Sequence, residues 1–142
     1  MSDQPDGGDD DAVFLQGAAA PVTTYMSEAV VTVPPTATLR EVAAAISAET
    51  VGLVVVGTED QVEGVVSERD IAVAAGRGDD LDTVTAGELD NGGLVWVGAD
   101  STIEDVVAQM MQGYVRHVLV GDGRRLVGVV SIRDVVVALA AM

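Results

Sequence analysis

Apolar residues in this chain fall into two alternating patterns: short runs of valine, and stretches where they return every three or four positions. Val30–Val33 is a β-rich run that stops at Pro34-Pro35, because proline cannot continue a ladder. Thr36-Ala37-Thr38 offers capping hydroxyls, and Glu41 lies three residues beyond Thr38, the spacing of a capping box. Leu39, Val42, Ala43 and Ile46 then form one apolar face at helical period. Val51–Val56 is a continuous apolar run, suited to a buried strand. Residues 57–61 predict a turn, Val62–Val66 a second strand and Ser67–Ala75 a helix. The predicted order is strand, helix, strand, strand, helix.

The same order returns 64 residues later without a gap. Gly64-Val65-Val66-Ser67-Glu68-Arg69-Asp70 reappears as Gly128-Val129-Val130-Ser131-Ile132-Arg133-Asp134. Residues 32–75 laid on 96–139 agree at 16 of 44 positions, enough to make duplication the organising fact of the chain. The second copy predicts a strand at Leu94–Val97, a helix from Ser101 to about Gln112, strands at Val115–Val120 and Leu126–Val130, and a helix from Ser131 onward. Val84–Leu89 matches the helical turn expected at Val22–Met26, which leads into the first copy. The expected organisation is an acidic, disordered tail over 1–20, repeat one over 21–78, a linker and lead-in turn over 79–93, and repeat two over 94–142. A βαββα unit of this size cannot cover both faces of its own sheet. The expected fold is therefore α/β (α+β), two βαββα repeats packed sheet to sheet about a pseudo-two-fold axis, with clefts between the copies.

Composition sharpens this picture. Of 142 residues, 49% are hydrophobic and only 3% aromatic, so the core must be built from Val, Ala, Leu and Ile. Twenty-three acidic residues face seven basic ones, for a net charge of −16. Such a surface repels nucleic acid and anionic lipid, so neither is an expected partner. The acidity resembles that of proteins from salt-loving archaea, where molar salt screens self-repulsion. No apolar run is long enough to span a bilayer and no signal peptide is evident, which makes a cytoplasmic protein the expectation. Without cysteine, disulfides and thiolate metal sites are excluded.

The chemistry concentrates in G-V-V-S-x-R-D, where a strand delivers the chain straight into a helix. Ser67 and Ser131 are good N-caps, and free amides behind a cap attract anions. Arg69 and Arg133 add positive charge, while Asp70 and Asp134 could accept hydrogen bonds from a ribose diol. Two readings stand together. S-x-x-D before an apolar helix is itself a capping arrangement. The arginine lies where the helix dipole disfavours a cation, so something negative should compensate it. No P-loop, G-x-G-x-x-G or serine–histidine pairing is readable, so no catalytic role is expected. One histidine cannot build a metal site, and the runs Asp9–Asp11 and Asp79-Asp80 lack calcium-loop spacing.

The duplicated βαββα unit ending in G-h-h-S-x-x-D resembles a tandem pair of CBS domains, the Bateman module. Val33–Leu39 and Val115–Val120 are similar to neighbouring blocks of that family, and the resemblance covers roughly residues 22–141. It implies a stand-alone regulatory module that senses an adenosyl ligand in the inter-repeat cleft. AMP, ADP or ATP would be the usual ligand, and SAM or NAD less common ones. By that resemblance Asp70 and Asp134 would each hold a ribose, with Ser67 and Ser131 near phosphate. The adenine would lie around Val30–Thr32 in one site and Leu94–Trp96 in the other. Arg116 and His117 stand where repeat one has Gly52 and Leu53. The resemblance makes Arg116 a phosphate clamp for the site of Ser67, Arg69 and Asp70, and leaves the Asp134 site without one. Trp96, where repeat one has Thr32, could cover an adenine or serve packing. The family resemblance also implies a homodimer, or an effector protein, as the route of output. Helix faces at 39–46 and 103–110, with Met110-Met111, and the Val/Ala-rich ends at 71–75 and 135–142 are the expected surfaces. The competing expectation is a constitutive interaction scaffold with non-functional clefts.

Overall fold

Thr38 and Thr102 begin equivalent helices in equivalent ways. Each side chain accepts from the amide three residues on, and Glu41 or Asp105 returns a carboxylate to the cap residue's own amide. The computed structural model describes residues 17–89 and 94–141. The expected disordered tail over 1–20 lies, through residue 16, outside the described residues, as does the end of the linker at 90–93.

A turn of helix, α1 (Val22–Tyr25), leads to β1 (Thr32–Val33), α2 (Leu39–Glu49), β2 (Leu53–Gly57), β3 (Val62–Ser67) and α3 (Glu68–Gly76). A 3-10 turn at Ala86–Glu88 follows. Then come β4 (Trp96–Val97), α4 (Ile103–Gly113), β5 (His117–Gly121), β6 (Leu126–Ser131) and α5 (Ile132–Ala140). The predicted elements are present in order, with shorter first strands. The fourth helix starts at Ile103 because Thr102, and not Ser101, is its cap.

Two three-stranded sheets form, ordered β1-β2-β3 and β4-β5-β6. In the first, β1 runs parallel to β2 with Thr32 opposite Val55, and β3 runs antiparallel with Ser67 opposite Leu53. In the second, Trp96 lies opposite Leu119 in a parallel pair. The hairpin after β2 turns at Gly57, whose φ of 110° puts it in the left-handed region that glycine adopts without strain.

The chain divides into two compact units. The leading unit holds Ala29–Leu94 together with Gly123–Val127; the trailing unit holds 17–28, Val95–Asp122 and 128–141. The leading core joins Val33, Ala37, Val42, Ile46, Val54, Val56 and Val66 to Ala86 of the 3-10 turn. In the trailing core Val97, Ile103, Val106, Met110, Val118, Val120, Val130, Val135 and Ala138 surround Val22. The lead-in turns are therefore exchanged. In sequence Val22 introduces repeat one, but it is fully buried among the side chains of repeat two. Backbone bonds hold it there: Val22 N–H donates to Ser101 O at 2.9 Å and Ile103 N–H to Ala20 O at 3.0 Å. Likewise Leu39 N–H donates to Val84 O at 2.9 Å, so each lead-in segment covers the start of the helix it serves.

One expectation is corrected. The apolar faces of residues 39–46 and 103–110 are not free for another copy of the chain. Leu39, Val42 and Ile46, and Ile103, Val106 and Met110, are buried within their own units. Of the methionine pair, only Met111 is exposed.

Candidate functional site: two Ser-x-Arg-Asp helix starts

Each G-V-V-S-x-R-D segment ends a strand and begins a helix without an intervening loop. Ser67 and Ser131 have extended backbones (φ −99° and −98°), and the next residue is already helical. Asp70 N–H donates to Ser67 Oγ at 3.2 Å, while Ser67 N–H donates to Asp70 Oδ2 at 2.8 Å. In the second copy the same two distances are 3.2 and 2.8 Å, and Ser131 Oγ–H also donates to Asp134 Oδ2 at 3.0 Å. These are reciprocal capping boxes. Both carboxylates are half-buried and lie in the first helical turn, where the dipole favours negative charge. They answer the question raised by Arg69 and Arg133, since each unfavourable cation shares its turn with a favourable anion.

The first amide of each helix is also engaged. Glu68 N–H donates to Gly52 O at 3.0 Å, and Ile132 N–H donates to Arg116 O at 2.8 Å. Sequence reasoning missed these bonds, because a carbonyl acceptor carries no side-chain signature. They narrow what the helix starts can offer a ligand. Two of the first three amides are occupied by protein, and one oxygen of each aspartate is spent on the cap.

The remaining candidates are distributed between the units. Thr32, Ser67, Arg69 and Asp70 belong to the leading unit; Arg116, His117, Ser131, Arg133 and Asp134 belong to the trailing one. Thr32 is exposed on β1, and its counterpart Trp96 is half-buried on β4. Arg69, Arg116 and Arg133 are exposed, while His117, the first residue of β5, is half-buried. The Ile132–Arg116 bond places the Arg116 backbone beside the start of α5. Among the described residues no cluster of His, Cys, Asp and Glu could hold a metal ion, and no helix is long and apolar enough to cross a membrane.

The CBS-domain family model matches the chain twice, at residues 22–76 and 86–141. The chain belongs to the CBS-domain family. Its two CBS copies coincide with the two βαββα repeats, and each carries one capped Ser-x-Arg-Asp helix start. Hypoxic response protein 1 of Mycobacterium tuberculosis is 34% identical over 84 residues, a match spanning 58% of this chain and only 59% of that protein. The CBS domain-containing protein YhcV of Bacillus subtilis is 30% identical over 117 residues, covering 82% of this chain and 83% of YhcV. Among solved structures, the CBS domain protein PAE2072 of Pyrobaculum aerophilum, complexed with AMP, is 33% identical with a TM-score of 0.72. That likeness covers 84% of this chain and 98% of PAE2072. The tandem CBS pair expected from the motif is thus the family and fold of this protein.

Proposed function

We propose that this CBS pair is a non-catalytic regulatory module that binds an adenosyl ligand, AMP, ADP or ATP in preference to SAM or NAD. Binding is passed on through a homodimer or an effector protein. The observation that carries the reading is the Ser-x-Arg-Asp helix start, present with matching geometry in both CBS copies. The AMP held by PAE2072, at 33% identity, supports the ligand class. In each set the aspartate carboxylate is the acceptor for ribose hydroxyls. The serine and the helix start face phosphate, and the arginine adds charge. Thr32 and the strand around it, with Trp96 as the counterpart, lie against the base. Arg116, facing Gly52 in the alignment of copies, makes the two sets unequal. Its cation, with His117 beside it, favours the more highly charged nucleotide.

The capping boxes favour one alternative strongly enough to state. Ser67, Asp70, Ser131 and Asp134 all have complete structural roles, so a constitutive scaffold would also keep them. Calorimetric titration with AMP, ATP, SAM and NAD in molar salt separates the two readings. The variants should be Asp70→Asn and Asp134→Asn, because asparagine retains the oxygen that caps the helix and loses only the charge. Saturable binding to the parent protein, weakened at least about tenfold in one variant, is the expected result. A folded protein that takes up none of the four compounds sinks the sensor reading.

A further inference from the structure

Strand alternation gives each sheet two faces, and the duplication lets the faces be compared residue by residue. In the leading unit Val33, Val54 and Val56 enter the core with the helices, and in the trailing unit Val97, Val118 and Val120 do the same. Thr32, opposite Val55, therefore lies on the other face of the leading sheet, as does Leu53 two residues before Val55. In the trailing sheet Trp96, opposite Leu119, and His117 hold those two places. The strand register is the same in both copies, so the backbone treats the two faces alike. The side chains differ: threonine becomes tryptophan, and leucine becomes histidine. Each change introduces a ring, and these are the one tryptophan and the one histidine of the chain. Repeat one builds the same strand pairs without either ring, so strand pairing does not require them.

Trp96 is half-buried on the side of β4 away from the trailing core, while Thr32 is exposed on β1. The two base positions thus offer a ligand different things. Stacking a base on an aromatic side chain strengthens binding by roughly ten- to a hundredfold, and it needs no charge on the ligand. An uncharged ligand also escapes the repulsion that a chain of net charge −16 exerts on phosphate. Thr32 has no ring to offer, so a ligand at β1 depends on its phosphate meeting the arginines. We propose that the β4 position binds a purine nucleoside by stacking its ring on Trp96, and so accepts a ligand without phosphate, whereas the β1 position holds only phosphorylated nucleotides. Trp96 is then the residue that makes one CBS pair respond to two ligand classes. This inference rests on the adenosyl-binding reading above and adds which part of the ligand each position recognises.

The test is titration of the full chain with adenosine and with AMP in molar potassium chloride, followed by calorimetry and by tryptophan emission. All of that emission belongs to Trp96. Adenosine should quench it as binding saturates, with about one adenosine taken up per chain and a dissociation constant within about tenfold of that for AMP. Trp96→Thr gives repeat two the residue that repeat one carries. It should weaken adenosine binding at least about tenfold and leave AMP bound, with unchanged circular dichroism. Trp96→Phe keeps a ring and should lose clearly less than Trp96→Thr. A parent protein that binds AMP but not adenosine overturns the proposal, as does adenosine that binds without changing the emission. Adenosine binding Trp96→Thr as tightly as the parent, or equal losses in the threonine and phenylalanine variants, overturns it too. A folded Trp96→Thr protein that loses AMP together with adenosine overturns the division between the two positions. If Trp96→Thr does not fold, the parent emission and Trp96→Phe still decide. A parent protein that takes up neither compound fails the sensor reading itself, which keeps the two failures apart.

Discussion

Ser27 and Val129 exchange both of their backbone hydrogen bonds, Ser27 N–H to Val129 O at 2.8 Å and Val129 N–H to Ser27 O at 3.0 Å. The segment that opens repeat one in sequence thus pairs with the final strand of repeat two in an antiparallel bridge. Its close approach is possible only because residue 128, next to Val129, has no side chain. A Cβ there would lie 2.7 Å from Met26 Sδ and 2.9 Å from the Ser27 carbonyl oxygen.

Gly128→Ala should therefore destabilise the protein by about 1–3 kcal/mol, the usual range for forcing an extra carbon into a packed position. Met26 can swing aside, but the Ser27 backbone cannot without losing the bridge. The urea midpoint at fixed salt reads the effect. An unchanged midpoint would show that the bridge contributes little.

Removing either cap serine should cost about 1 kcal/mol. Ser67→Ala and Ser131→Ala each orphan the third amide of a helix and one reach of the capping box. The two losses should add in the double variant, since the caps lie in different units and share no partner. Helix content and thermal midpoint are the readouts, and a double variant no worse than either single one contradicts independent capping.

Thr50 closes α2 at φ 55° and ψ 44°, a conformation in which a β-branched residue is an outlier. Its amide still donates to Ile46 O, so the left-handed turn itself is needed. Thr50→Gly should stabilise by roughly 0.5–1 kcal/mol, the relief of the steric cost outweighing the added freedom of the unfolded chain. A lowered urea midpoint would mean that the threonine side chain contributes more than its strain costs.

Glu88 accepts from the Thr85 amide at 2.8 Å and from its hydroxyl at 3.0 Å, which hold its carboxyl below the ordinary value of 4.5. A depressed folded value means that its stabilisation is present above pH 4.5 and fades as pH falls through the folded value. The stability difference between the parent protein and Glu88→Gln should therefore shrink as pH is lowered through that range. A difference that stays constant across acid titration would detach Glu88 from the cap of this turn.

Salt should stabilise the protein. The ion pairs Arg40–Asp82, Arg77–Asp79 and Arg125–Asp60 are mostly exposed, and such pairs contribute about 0–1 kcal/mol each. Against them stands the mutual repulsion of a −16 chain, which salt screens within roughly 3 Å at 1 M. The thermal midpoint should climb between about 0.1 and 2 M potassium chloride. A falling midpoint would show that the ion pairs outweigh the net charge.

Most of the secondary structure was legible along the chain, because it is written in local signals. The 3.6-residue spacing of Leu39, Val42 and Ile46, the valine run before Gly57, and the Thr38–Glu41 box each act over a few residues. The 64-residue repeat then made two units of one kind the natural inference. The Ser-x-Arg-Asp motif was legible as two things, a cap and an anion-facing cluster. The capping geometry needed the structure, because only there do Asp70 and Asp134 each accept the amide of their own cap serine.

What the sequence by itself determined, then, is the repeated βαββα order, the valine core and the helix starts, each set by contacts between near neighbours. Tertiary structure alone decided which unit each short lead-in segment completes. Val22 and Ala86 sit in turns that match one another, and a turn of three or four residues with one buried side chain has no periodicity to name its partner. The choice was made by the backbone bonds from Val22 to Ser101 and from Leu39 to Val84, whose partners lie tens of residues away and leave no local trace in the chain.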